Sequence, residues 1–218
     1  MVGAAVGAAV GAVAAGLWHV TPPMVAAAVA VMVGVLITGA FHEDGLADTA
    51  DAFGGGYTVE RRLEILKDPR HGSYGVAALS GSIVLRVLCL GALPGPAVML
   101  AGAIAVHAMS RGAATVLMVA VRAISTDGLG ADYTRELRSS RVLIAAAAAM
   151  AISIVAVGWW AAPLAAAGAV AAFATGWLAR RKIGGISGDV LGACEQVAEC
   201  LCLVVLTGLA ARWGLWWR

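Results

Sequence analysis

The sequence predicts an all-α fold: a polytopic membrane helix bundle of about seven transmembrane helices, with its active site at the cytoplasmic face. Three observations predict it. Of 218 residues, 61% are hydrophobic and only 13% charged, against roughly 25% charged in an ordinary soluble domain. The apolar residues fall into runs close to the ~17 to 25 residues that a helix needs to cross the hydrocarbon core. The charges collect in alternate connections between those runs. Mean hydropathy is +0.89, and no polar block is long enough for a separate soluble domain, so residues 1–218 read as a single integral membrane domain.

The first run, Val2 to Trp18, lacks the positively charged start of a secretory signal and is followed by further runs, so it reads as a helix. Its Gly3, Gly7 and Gly11 form a GxxxGxxxG series suited to close helix packing. The second run is Met24 to Phe41, without a single charge, and the third is Val76 to Ala92. Ala97 to Val121, Val142 to Gly158, Pro163 to Ala179 and Val190 to Ala211 complete the series.

Three connections are long and charged: His42 to Gly75, Arg122 to Arg141, and Arg180 to Asp189. The other three, His19 to Pro23, Leu93 to Pro96 and Trp159 to Ala162, carry no Asp, Glu, Lys or Arg. The two kinds alternate, so the charged ones share a face, which the positive-inside rule makes cytoplasmic together with the N-terminus. Trp18, Trp159, Trp160, Trp213, Trp216 and Trp217 fall at the opposite ends, as an interfacial aromatic belt does. Arg86 and Arg111 lie inside spans, and Arg212 and Arg218 at the outer end. Cys89, Cys194, Cys200 and Cys202 lack zinc spacing and read as buried thiols. A net charge of +2 gives no footprint for nucleic acid; the partner implied is the lipid bilayer, and a homo-oligomer is left open.

The densest chemistry follows the second run, where residues 42 to 51 read His-Glu-Asp-Gly-Leu-Ala-Asp-Thr-Ala-Asp. On a helix Asp44, Asp48 and Asp51 share one face, and stacked carboxylates repel unless a cation sits among them. Hard oxygen ligands favour Mg2+ or a similar ion. Downstream come Gly54, Gly55 and Gly56, then Arg61, Arg62, Lys67, Arg70, His71 and Tyr74. Glycines admit close approach of a ligand and cations bind phosphate. Metal-ready carboxylates beside phosphate-ready cations point to phosphoryl or nucleotidyl transfer. The plainer account of Glu60, Arg61, Arg62 and Glu64 is surface pairing on a helix.

The third connection repeats the combination in Arg180, Arg181, Lys182, Gly184, Gly185, Ser187 and Asp189, with Glu195 and Glu199 entering the last span on one helical face. Intramembrane acids are functional candidates, or else struts paired with Arg86 or Arg111. His107 reads as a packed core residue, and Tyr133, Arg135 and Arg138 as a solvated turn.

The strings TGAFHEDGLADTADAFGGG, KDPRHGSYG from Lys67 and RKIGGISGDVLGACEQVAE from Arg181 occur in the order of, and resemble, the cobalamin synthase family (adenosylcobinamide-GDP ribazoletransferases). The resemblance covers essentially the whole chain. Two departures stand out: family members usually carry some tens of residues before the first full span, and Ser187 stands where the family commonly has Thr, keeping the hydroxyl.

The resemblance implies a prokaryotic cytoplasmic-membrane enzyme for the last assembly step of the cobamide coenzyme. Adenosylcobinamide-GDP and alpha-ribazole, or its 5'-phosphate, would give adenosylcobalamin, or its 5'-phosphate, plus GMP, with Mg2+ as cofactor. On that basis Glu43, Asp44, Asp48, Asp51 and Asp189 are the expected metal ligands. Asp48, Asp51 or His42 takes the hydroxyl proton, and Lys67, Arg70, Arg180 and Arg181 meet phosphate. Gly54, Gly55, Arg61, Tyr74, Gly184, Gly185, Ser187 and Glu195 complete the expected substrate contacts.

Rival readings fit less well. CDP-alcohol phosphotransferases also set an Asp-x-x-x-Asp face at a membrane boundary, but their DGxxAR spacing is broken here by Asp44-Gly45-Leu46-Ala47-Asp48. Membrane prenyltransferases use paired DDxxD runs, absent here. A cation-coupled transporter would hold its binding groups near the midplane, whereas this sequence predicts acids at one face.

Overall fold

The computed structural model describes residues 1–124 and 139–217, and the described chain is helical apart from turns and one isolated parallel bridge between Ala123 and Ile186. The helices are α1 (Val2–Leu17), α2 (Pro23–Thr38), α3 (Phe41–Gly55), the short α4 (Val59–Ile65), α5 (Ser73–Gly91), α6 (Pro96–Ala120), α7 (Ser139–Val157), α8 (Ala161–Ile183) and α9 (Gly188–Ala210). Tyr133, Arg135 and Arg138 lie outside the described residues.

By length and composition, four stretches can cross a membrane: Ser73–Gly91, Pro96–Ala120, Ser139–Ile183 and Gly188–Ala210. A fifth is counted if the bent pair α2 and α3 forms one span, and α1 is shorter at 16 residues. The 45-residue stretch Ser139–Ile183 is not straight, because Gly158 takes φ +63° and turns the chain. Along α6, Ala149 of α7 meets Gly112 while Ser153 bonds the carbonyl of Ala105, so α7 runs antiparallel. Gly168 of α8 meets Met109 and Ala113, and Gly176 meets Leu117 and Val121, so α8 runs parallel to α6. The stretch is therefore a hairpin.

Helix α6 is the axis of the bundle. The glycine series of α1 lies directly on it: a Cβ at Gly3, Gly7 or Gly11 would collide with the backbone at His107, Ala103 and Leu100 respectively. Expelling water gains nothing between helices in lipid, so such backbone-to-backbone contact is the source of dispersion energy that holds them. Leu206 of α9 fills the other side of α6 at Gly102. One buried cluster gathers Met99, Leu93, Trp160, Leu164 and Leu206; a second gathers Phe53, Leu117, Ile183, Ile186 and Val190.

The second span departs from expectation. Helix α2 stops at Thr38, short of Phe41, because Gly39 (φ 64°) and Ala40 (φ 57°) are both left-handed. Glycine takes that conformation freely; for Ala40 it costs roughly 1–2 kcal/mol. The chain bends 89° and re-enters a helix at once. The acidic run is thus not a loop after a span. It is α3, wedged between α5 and α9, with small buried residues Gly45, Ala47 and Ala52 on its inner face. A Cβ on Gly45 would strike the backbone of Asp189 and Gly192.

The aromatic belt needs one correction. Trp159 stacks edge-on with Trp213 at 5.5 Å and Trp216 covers Gly158, which folds the C-terminal segment over the α7–α8 turn. Trp160, however, is 1% exposed and belongs to the core.

Candidate active site

Glu43 and Asp44, neighbours on α3, enter opposite environments, the first buried and the second exposed. Asp44 is exposed near the meeting point of α3, the loop before α5 and the start of α9, and Asp48 lies one turn on, with its side chain 15% exposed. His71, from that loop, sits between them: Nε2 is 3.7 Å from Asp44 Oδ1 and Nδ1 is 3.4 Å from Asp48 Oδ1. Ligand atoms of the three lie within 4.8 Å of one another. Asp189, in the first turn of α9, is close enough to repel both aspartates electrostatically.

No arginine or lysine forms an ion pair with Asp44, Asp48 or Asp189 among the described residues. A concentration of negative charge left unpaired by protein cations is the donor set a divalent ion requires. The carboxylates suit Mg2+, which commonly takes one or two of them and fills its remaining positions with water and phosphate. His71 was not among the expected site residues, although it stands inside the KDPRHGSYG string.

Asp51 does something else. Its Oδ2 accepts the Gly72 amide at 2.6 Å and its Oδ1 the Gly75 amide at 2.8 Å. Those amides open α5, so Asp51 is a helix cap supplied from another helix, favoured by the positive end of the helix dipole. Side chains at Gly72 or Gly75 would collide with this carboxylate. The glycines of the second motif are therefore explained by the last aspartate of the first.

Glu43 points inward. Its Oε1 is 3.0 Å from Arg86, which also lies 3.3 Å from Glu199. Arg111 pairs with Glu195 at 2.7 Å, and Ser110 donates to the same oxygen at 2.9 Å. Gln196 ties the halves together by donating to Glu43 and Glu195 while accepting from Ser82. His107 lies 3.4 Å from Glu199, and His42 3.8 Å from Glu195. Glu195 and Glu199 are thus internal struts, and Glu195, 1% exposed, is buried beneath the site. Because Glu199 sits midway along α9, the acids are not confined to one end of the bundle.

The remaining expected residues divide. Arg61 pairs with Glu64 at 2.9 Å on the surface of α4. Arg70 folds back on Asp68 with bonds of 2.9 and 2.7 Å. Those bonds hold the exposed Asp68 carboxyl down to about 2. Lys67 is exposed. The Tyr74 ring covers Gly54, while Gly55 has open space around it. Gly184 (φ 81°) terminates α8, Gly185 packs against the carbonyl of Arg122, and Ser187 caps α9 through the Val190 amide. Arg180 bonds the carbonyl of Ala120, and Arg181 stacks 4.2 Å over Trp177. The cation of this group that reaches α3 is Lys182, on the Phe53 carbonyl at 3.0 Å.

Comparison with known proteins identifies relatives of the chain. The family model described as cobalamin-5-phosphate synthase matches residues 1–207. An adenosylcobinamide-GDP ribazoletransferase of Shewanella piezotolerans is 36% identical over 220 residues, covering 98% of this chain and 84% of that protein. Proteins of the same name from Chlorobaculum tepidum and Azorhizobium caulinodans are similar: 39% identical with 89% of this chain and 77% of that protein covered, and 42% with 91% and 78%. No solved structure matches.

Proposed function

The chain belongs to the cobalamin-5-phosphate synthase family and is a transferase, and from that premise we propose that it joins adenosylcobinamide-GDP to alpha-ribazole or its 5'-phosphate in a Mg2+-dependent reaction. The observation that carries the reading is the convergence of Asp44, Asp48 and His71 with Asp189 close by, with no arginine or lysine paired to these acids among the described residues.

In this reading Asp44 and Asp48, with Asp189, hold Mg2+, which when bound offsets the charge of the diphosphate and of departing GMP. The ribazole hydroxyl oxygen forms a bond to the cobinamide-bearing phosphorus, the anhydride bond to GMP breaks, and the hydroxyl proton passes to a base. Asp51 has both oxygens engaged by amides, and His42, in the first turn of α3, turns towards the buried Glu195. His71, oriented by Asp48, is the base best placed. Lys67 meets phosphate, as does Arg70 once it exchanges Asp68, an exposed pair of the weak kind. The Tyr74 face over Gly54 and the open flank of Gly55 line the approach.

The bundle would cross the cytoplasmic membrane of a prokaryote seven times, with α2 and α3 as one broken crossing and the N-terminus and the site cytoplasmic. The distribution of Lys and Arg supports that orientation.

The test is turnover by the purified chain in liposomes. Expected is GMP release from adenosylcobinamide-GDP and alpha-ribazole that stops on chelation of Mg2+ and in Asp48→Asn. CMP release from a CDP-lipid, or full GMP release by Asp48→Asn, overturns the assignment.

A further inference from the structure

Away from the acidic site, α7 and α8 both lie on α6, and a furrow follows the α6–α8 seam, with α7 as a further wall along its upper part. Two adjoining cavities occupy it, of about 180 and 320 Å3. They share Val116, Ala169 and Ala172, so the furrow is continuous from Met150 and Ala165 down to Trp177 and Arg180. Its floor is made of small residues, Gly112, Ala113, Gly168 and Gly176, and Phe173 stands exposed at its rim.

The furrow's lower end is basic. Arg180 lines it, Arg181 follows with its guanidinium on the Trp177 ring, and Arg122 comes directly after the lining residue Val121. All three are exposed, and none pairs with a carboxylate among the described residues. A tryptophan with arginines in the last turn of an apolar helix is the arrangement of the membrane–water boundary. An apolar slot that ends there in guanidinium groups with no carboxylate partner among the described residues matches an amphiphile with an anionic head: acyl chain along the small-residue floor, phosphate at the arginines.

We propose that this furrow is a binding site for an anionic glycerophospholipid, separate from the acidic site, with Arg180 and Arg181 holding the headgroup phosphate.

Native mass spectrometry of the detergent-purified full chain, delipidated and then offered phosphatidylglycerol or phosphatidylcholine, tests it. Expected is severalfold stronger retention of phosphatidylglycerol. Arg180→Gln/Arg181→Gln should erase the preference, and Ala169→Trp, a side chain on the exposed wall common to both cavities, should displace both lipids. Equal retention of the two lipids by the unaltered protein overturns the proposal without recourse to any variant. Binding of inorganic phosphate with no lipid preference overturns it, and so does a dimer that Ala169→Trp disrupts while lipid retention stays unchanged.

Discussion

Glu43 and Asp44 are consecutive, equally acidic, and put to opposite uses. Glu43 turns into the bundle, where Arg86 and Arg111 meet three carboxylates, Glu43, Glu195 and Glu199, and join α3, α5, α6 and α9. Asp44 turns outward, where Asp44, Asp48 and Asp189 meet no arginine or lysine among the described residues and His71 lies between the first two. A buried carboxylate costs too much to leave unpaired, so the inner cluster carries Arg86 and Arg111 as counter-charges, although Glu43 Oε2 and Arg86 Nε and Nη2 have no hydrogen-bond partner among the described residues. The outer cluster is left electrostatically incomplete. That incompleteness separates a ligand site from a strut, and counting acids cannot reveal it.

The comparison breaks most sharply if the outer cluster is neutralised. Asp44→Asn/Asp48→Asn should lower GMP release by roughly a hundredfold or more while the helical circular dichroism spectrum is kept. In the inner cluster Arg86→Met should cost roughly 3–5 kcal/mol by leaving Glu43 and Glu199 without their arginine, seen as a lower midpoint of thermal unfolding in detergent. If Arg86→Met leaves that midpoint unchanged, the inner cluster is not a brace. Asp51→Asn sharpens the boundary between the two: as a cap it should cost about 1 kcal/mol, with the Mg2+ concentration for half-maximal turnover unchanged. A large shift in that concentration would return Asp51 to the metal site.

The smallest effect concerns pH. The folded Asp68 carboxyl is held down to about 2 by Arg70, below its ordinary 3.8. A depressed carboxyl favours the fold above its unfolded value and loses that contribution as pH falls from about 4 towards 2. Arg70→Gln should therefore lower the unfolding midpoint slightly at neutral pH and much less at pH 2. Because the pair is exposed, added salt should shrink the difference.

Much of the helical layout was legible because apolar runs and helix lengths obey the same constraint. The expected runs Val76 to Ala92 and Ala97 to Val121 became Ser73–Gly91 and Pro96–Ala120. The glycine series of α1 was legible as a packing face. The second span was not, since its break rests on two consecutive left-handed residues, and only Gly39 signals it. Helical periodicity put Asp44, Asp48 and Asp51 on one face, but it cannot show that the start of α5 arrives on top of Asp51. Nor could it bring His71 back across the loop. Partners 20 or more residues away along the chain are chosen by tertiary packing, which leaves little trace in local spacing.

The bonds from Asp51 to Gly72 and Gly75 also decide what the protein tolerates. They pin together the two ends of the segment from 56 to 71, so that segment closes on itself before α5 begins. A closed surface loop can grow at little cost, about 0.6 kcal/mol for each doubling in length, without shifting the helices on either side. An epitope or fluorescent label inserted at Tyr57, which is 90% exposed, should leave the bundle in register. One residue added between Asp44 and Asp51 would rotate the acids away from His71 and the clasp away from α5 together.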